Sequence, residues 1–240
     1  MMNRPPKSII IQAIAIPLIV AGVIVAPLTM DGQSESAQYS VVMPLAYLLG
    51  SISWGYMLLQ LKMGLDVREY GSGRTGMSNV LRTGGVKSAA VVLTLDIAKG
   101  VVAVFIARSV IDTTAAEVSA GLIVLVGHNW PVFLQFKGGR GILTALGGLA
   151  LMVPVAALIA TATFLTVTAV SRYISLGSVI GVIIGAVTIL ALALADVNSN
   201  TYMIYGFIAC AMIVWQHRDN LQRIRDGNER RLGQSATKVE

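Results

Sequence analysis

Seven stretches of this 240-residue chain are apolar over most of the width of a bilayer, and they restrict the fold more than any other feature. A spanning helix needs about 20 apolar residues. Residues 8–29, 41–61, 86–110, 119–136, 142–170, 176–195 and 202–215 supply the candidates. The fifth stretch is too long for one span and short for two, and it carries Pro154 near its middle. Proline removes a helical hydrogen bond and clashes with the preceding turn. The reading is therefore two short helices in a tight hairpin, with one long kinked helix as the alternative. That gives an all-α integral membrane protein of about eight transmembrane helices.

Composition agrees. Only 12% of residues are charged and 55% are hydrophobic, against about 25% charged in a soluble domain. Lipid must be the solvent for much of this surface. The single cysteine, Cys210, excludes an internal disulfide and reads as packing. Charge placement sets the orientation, because lysine and arginine favour the cytoplasmic side. With eight segments, one face receives every lysine and arginine from Arg4 to Lys238 except Arg108 and the intramembrane Lys99. The other face holds Asp31, Glu35, Asp112, Glu117 and Asp196. Both termini are expected to be cytosolic. Three regions are expected: an N-terminal anchor and external loop (1–40), a membrane domain (41–232) and a polar tail (233–240). The first helix has basic residues in front and no small-residue cleavage site behind it, so it reads as a retained anchor.

Chemistry-bearing residues gather in the loops of the basic face. The stretch 66–87 reads DVREYGSGRTGMSNVLRTGGVK. Gly71, Gly73 and Gly76 match G-x-G-x-x-G, but a dinucleotide fingerprint needs a preceding strand and here an apolar helix precedes it. What survives is an anion cradle: glycines allow close backbone approach, and a following helix N-terminus adds positive potential. Ser72, Thr75, Ser78 and Asn79 supply neutral donors, and Arg68, Arg74 and Arg82 supply charge. A solvated loop touching lipid headgroups is the plainer reading. The stretch 127–141, GHNWPVFLQFKGGRG, sets Lys137 and Arg140 around Gly138 and Gly139, again suited to phosphate. His128, higher in the same helix, reads as packing. Ser175 and Ser178 lie near the start of the next helix. His217 and Asn220, three residues apart, share a face if the last helix continues. Arg223 and Arg225 either join the site or touch anionic lipid. Asp96 and Lys99 form an intramembrane i, i+3 pair, either holding helices together or letting Lys99 reach a bound anion.

Several chemistries have no motif here. There is no HExxH or CxxC for zinc, no GxSxG elbow and no acidic cluster for magnesium. Neither histidine begins an H-x4-D pattern. No cofactor, metal or nucleic-acid partner is expected.

The segments AYLLGSISWGY, YGSGRTGMSNVLRTGG, LDIAKG, GHNWPVFLQFKGGRG, SRYISLGS and QHRDNLQRI stand in one order between residues 46 and 232. In this the chain resembles the bacterial acyl-phosphate-dependent glycerol-3-phosphate acyltransferases, the PlsY family. The resemblance implies a seven-helix core in the plasma membrane with an N-terminal helix added. It implies a cytosolic site that transfers an acyl group from acyl phosphate to the sn-1 hydroxyl of glycerol 3-phosphate, giving lysophosphatidate without a metal. It implies Ser72, Asn79, Arg82, His217 and Asn220 as catalytic residues. It also implies substrate contacts from Gly71, Gly73, Arg74, Gly76, Lys99, Lys137, Gly138, Gly139, Arg140 and Ser175. Arg74 stands where the family usually has Asn, Met77-Ser78 where it has Ala-Thr, and Arg140 where it has Lys. The competing readings are an organic-phosphate or lipid-anion transporter, and an impaired paralogue that binds lipid.

Overall fold

The computed structural model describes residues 6–238, all of whose regular structure is helical. Arg4, counted above on the basic face, lies outside the described residues. Ten α-helices follow in order: α1 (Lys7–Thr29), α2 (Glu35–Ser51), α3 (Trp54–Met63), α4 (Met77–Val110), α5 (Thr114–Asn129), α6 (Ile142–Met152), α7 (Pro154–Ser171), α8 (Ile174–Leu194), α9 (Tyr202–Gln216) and α10 (Arg218–Arg225). Six stretches are long and apolar enough to cross a bilayer: α1, α2 with α3, α4, the α5 stretch to Leu134, α7 and α8. The apolar helices α6 and α9 are shorter. The chain is a multi-pass membrane protein, with exposed apolar side chains such as Leu18, Leu28, Leu158, Val170 and Phe207 facing the lipid.

Residues 142–171 form two helices. Val153 leaves the helical region (φ −141°, ψ 79°) and Pro154 opens α7, where its missing N–H costs nothing. The chain reverses there. Leu151 accepts a hydrogen bond from Arg108 at one end of the bundle, and Arg172 meets Leu232 at the other.

Helices α2 and α5 start five or six residues before the apolar stretches, and three further differences from the hydropathy reading shape the site. The second span is broken at Ile52–Ser53, inside the apolar stretch Glu35–Met63. The third starts nine residues earlier, at Met77 rather than Val86, because α4 continues through a kink at Gly85 (φ +78°) into the polar loop. The fourth ends at Asn129, after which the chain turns back through Pro131–Leu134. Polar residues hid the start of α4 from an apolar-window search.

Helices approach closely where glycine faces backbone. A Cβ on Gly100 would overlap the Thr144 carbonyl and one on Gly147 the Ile97 carbonyl, so α4 and α6 touch nearly backbone to backbone. Gly50 and Gly127 do the same for α2 and α5. At the end remote from the polar loops, Arg108 pairs with Glu117 (2.8 Å), and Tyr202 donates to the same carboxylate (2.8 Å). That network ties α4, α5, α6 and α9.

The expected polar tail is not free. Leu232 N–H donates to the Arg172 carbonyl (2.7 Å), Ala236 N–H to that of Arg82 (3.2 Å), and Gly71 N–H to that of Thr237 (2.8 Å). Residues 232–238 thus strap the glycine loop, the start of α4 and the α7–α8 turn together.

Lys99 lies buried at the break in the second span. Its ammonium donates to the carbonyls of Gly50 (3.1 Å) and Ile52 (3.2 Å) and pairs with Asp96 (3.0 Å). Three donors meet three acceptors, which closes the carbonyls that the broken helix leaves open. Lys99→Met should cost about 3–5 kcal/mol by leaving the Asp96 carboxylate buried and unpaired. Asp96→Asn added to Lys99→Met should recover much of that loss, measured as thermal unfolding in detergent. A single variant as stable as wild type would contradict this placement.

Candidate active site

The polar loop ahead of α4 is built around one side chain. Asn79, fully buried, shares the two N–H groups of Nδ2 among the carbonyls of Val67, Tyr70 and Arg74 (2.9 Å each), and its Oδ1 accepts from Ser72 N–H (3.0 Å). Gly71 and Gly73 take positive φ (56° and 66°), which the fold of this loop requires. Their N–H groups bond to Thr237 and Tyr70. The N–H groups of residues 71–73 therefore build the loop rather than face a ligand. The anion-facing donors are one turn on, at Gly76, Met77 and Ser78, where α4 begins and its first N–H groups lack intrahelical partners.

The glycine-rich turn after α5 follows a similar pattern. Gly138 and Gly139 donate their N–H groups to the carbonyls of Asn129 (3.2 Å) and His128 (3.1 Å). A Cβ on Gly139 would overlap the His128 ring. Their role is close packing on the end of α5, which aims the next residue, Arg140, inward. His128 is held in turn by Thr144 (3.3 Å) beside Asp96 (3.7 Å).

Arginines converge here. Arg74, Arg82 and Arg140 line one cavity, with Arg223 and Arg230 close by. Burial lowers the pKa of the Arg74 guanidinium. Burial, with Arg74 and Arg223 adding repulsion, brings Arg140 down to about 10. One carboxylate organises the cluster. Glu229 accepts from Asn220 Nδ2 (2.7 Å), Ser175 Oγ (2.9 Å) and Arg223 Nε (2.9 Å). Burial alone would raise its pKa, but these donors outweigh that and hold the carboxyl below its usual range. Positive charge remains in excess, and three polar atoms at the site are buried without partners: Arg82 Nε, Arg140 Nε and Asn220 Oδ1. Buried polar groups are normally satisfied, so these atoms point to a ligand.

His217 sits at the junction of α9 and α10, 3% exposed. Its Nδ1 lies 2.8 Å from the Ile213 carbonyl. A carbonyl only accepts, so Nδ1 carries the proton and Nε2 holds a lone pair. Burial and the neighbouring Arg140 push its pKa down to about 4. The imidazole is therefore neutral near pH 7.

The cavity has a volume of about 350 Å³ and two characters. Its charged end holds the arginines, His217, Asn220 and Ser175. The remainder runs between α6, α7, α8 and α9 past apolar side chains including Leu146, Phe164, Val182 and Ile213. Along α8 it extends from Ser175 to Ile189, a rise of about 21 Å.

Of the residues expected at the site, Arg74, Gly76, Arg82, Arg140, Ser175, His217 and Asn220 line this cavity. Gly71, Ser72, Gly73 and Asn79 stand behind it as the loop's framework. Ser72 Oγ is buried there without a partner. Gly138 and Gly139 also stand behind it. Lys99 is engaged at the helix break. Lys137 is exposed and does not line the cavity. Glu229 was not singled out from the sequence. Its signal is a carboxylate inside the arginine-rich run RIRDGNERR, where an acid among so many arginines has a ready structural use. Among the described residues, no three His, Cys, Asp or Glu side chains gather as metal ligands.

Comparison with known proteins gives one answer. Residues 40–227 match the family model described as glycerol-3-phosphate acyltransferase. The glycerol-3-phosphate acyltransferase of Thermoanaerobacter pseudethanolicus is 43% identical over 190 residues, covering 79% of this chain and 93% of that protein. That of Clostridioides difficile is 40% identical over 205 residues, covering 83% and 98%. The crystal structure of PlsY, an integral membrane glycerol 3-phosphate acyltransferase, in its glycerol 3-phosphate form superposes with a TM-score of 0.74 at 36% identity, covering 80% of this chain and 94% of that one. Its lysophosphatidic acid form superposes with a TM-score of 0.72. Helix α1 lies outside the residues matched by the family model, and the arginine-lined cavity lies among helices within them, so this chain belongs to the glycerol-3-phosphate acyltransferase (PlsY) family.

Proposed function

We propose that this enzyme transfers a fatty acyl group from acyl phosphate to the sn-1 hydroxyl of glycerol 3-phosphate at the cytosolic face of a bacterial plasma membrane. One observation carries the reading: an arginine-rich pocket opens directly into an apolar trough between membrane helices. Both substrates bear phosphate and one bears a long apolar tail, so a cavity with these two ends suits both at once. The charge asymmetry of the loops supports the cytosolic placement of the charged end. The acyltransferase unit is residues 41–232, with the strap to Lys238 closing its loops.

Arg74, Arg82 and Arg140 grip the phosphates together with the first N–H groups of α4. Glu229 positions Ser175 and Asn220, and Asn79 fixes the glycine loop with Ser72. The acyl tail stays in the trough, so the carbonyl is presented at the boundary between the two ends. The glycerol hydroxyl oxygen attacks that carbonyl carbon. A new ester C–O bond forms, the acyl–phosphate C–O bond breaks, and inorganic phosphate leaves. The hydroxyl proton passes to His217 Nε2 or to the phosphate of the donor. Phosphate is already a good leaving group, so alignment and charge stabilisation are the protein's main contributions. Arg74, a cation where an amide is usual, adds to the phosphate grip because its side chain lines the cavity.

The purified chain, given acyl phosphate and glycerol 3-phosphate without metal, should form lysophosphatidate. Arg140→Ala should lower kcat/KM for glycerol 3-phosphate by about 10- to 100-fold, the effect of losing a charge-assisted hydrogen bond. Lys137→Ala should stay within about twofold, as expected of an exposed charge. Product from acyl-CoA alone would reassign the donor. Uptake of glycerol 3-phosphate into liposomes without product would favour a transporter.

His217 offers a second test. The chain has two histidines, so NMR of histidine-labelled protein in detergent can follow both, with His217→Gln for assignment. The lowered pKa means that His217 should stay neutral from pH 8 down to about pH 5. Adding glycerol 3-phosphate should move its titration midpoint upward, because a bound phosphate favours imidazolium. A midpoint near 6.5 that ignores substrate would remove His217 from the phosphate pocket.

A further inference from the structure

The second span is broken inside its apolar stretch, and a break leaves backbone groups of both kinds open. Lys99 closes the carbonyl side, at Gly50 and Ile52. On the other side, Ser53 N–H opens α3 and is buried. In lipid no water can satisfy it. Its acceptor comes from α1: Gln12 Oε1 lies 3.0 Å away, and Gln12 has no exposed surface. The glutamine amide is held by donating to the Ser8 carbonyl (3.3 Å). One turn further along α3, Ser8 Oγ lies 2.7 Å from the Tyr56 hydroxyl.

These contacts lead to the site. Gly55 sits against the Thr75 carbonyl so closely that a Cβ would overlap it. The Arg68 guanidinium lies over the Tyr56 ring, 5.0 Å from its centre. The start of α3 is thus the surface on which the Arg74–Gly76 turn and the N-terminus of α4 are seated.

We infer that Gln12 is a positioning residue of the enzyme. By accepting Ser53 N–H, it fixes the start of α3 and through it the anion-facing turn before α4. Helix α1, which lies outside the matched family region, is then a working part of this enzyme rather than only an anchor. The claim goes beyond the acylation reading and uses that reaction as one readout.

The test rests on proline, which has no N–H to satisfy. Ile52 before it is already extended (φ −66°, ψ 113°), as a residue preceding proline prefers, and Ser53 itself (φ −99°) has to turn by about 20–35° to reach proline's range. Gln12→Leu should raise KM for glycerol 3-phosphate by roughly five- to thirtyfold. KM for acyl phosphate should rise as well, because the same turn grips both phosphates, and the melting temperature in detergent should fall. Ser53→Pro combined with Gln12→Leu should restore both KM and melting temperature towards wild type, because the orphaned N–H no longer exists. If Gln12→Leu fails to accumulate in the membrane, recovery of accumulation in the double variant is the same test. Ser53→Pro alone measures what the proline itself costs; a silent Gln12→Leu, or a double variant whose losses are simply the sum of the two single variants, would overturn the inference. Wild-type protein without acyltransferase activity would instead sink the functional reading, and the melting data would still judge Gln12.

Discussion

A crowd of guanidinium groups around one carboxylate is the constraint on which the rest of the site depends. Arg74, Arg82, Arg140, Arg223 and Arg230 come from three separate stretches of the chain, 74–82, 140 and 223–230. Left alone, partly desolvated like charges would drive those segments apart. Glu229 prevents this by tying Arg223 to Ser175 and Asn220. It neutralises only part of the charge. The excess suits a phosphate, whose negative charge and acceptor oxygens can take the hydrogen bonds of Arg82 Nε and Arg140 Nε, which have no partner among the described residues. Burial, aided by the same excess, keeps His217 neutral and so leaves its Nε2 able to accept a proton.

The membrane imposes the second constraint, that every backbone group be satisfied within the protein. Two features that look like catalytic machinery answer to it. Lys99 closes carbonyls at the break in the second span. The N–H groups of Gly138 and Gly139 are engaged with the end of α5, and the absence of their side chains lets His128 sit against them. These residues build the shape, and Arg140 presents the charge.

The helical membrane fold was legible because apolar runs report directly on which segments face lipid. Pro154 marked the hairpin for a plain steric reason. The cavity-lining cations Arg74, Arg82 and Arg140 were legible because buried or gathered arginine near glycine has few structural uses. Less legible was the division of labour inside each motif. Asn79 reads as a donor to substrate, yet its amide is saturated by three carbonyls and one N–H of its own loop. Lys137 and Arg140 look equivalent in KGGRG, but a turn of a few residues sends one outward and the other inward. Glu229 depended on a tail folding back across the site, a long-range contact that no local pattern encodes. The break at Ile52–Ser53 was hidden because both flanking segments are apolar.

Central to the mechanism is that the arginine cluster binds the phosphate of glycerol 3-phosphate. Calorimetric titration of the detergent-solubilised wild-type chain with glycerol 3-phosphate, repeated at rising ionic strength, tests it most directly. The account predicts one molecule bound per chain, affinity that weakens as salt is added, and no detectable heat with glycerol. Binding that ignores salt, or glycerol binding as tightly as glycerol 3-phosphate, would contradict it.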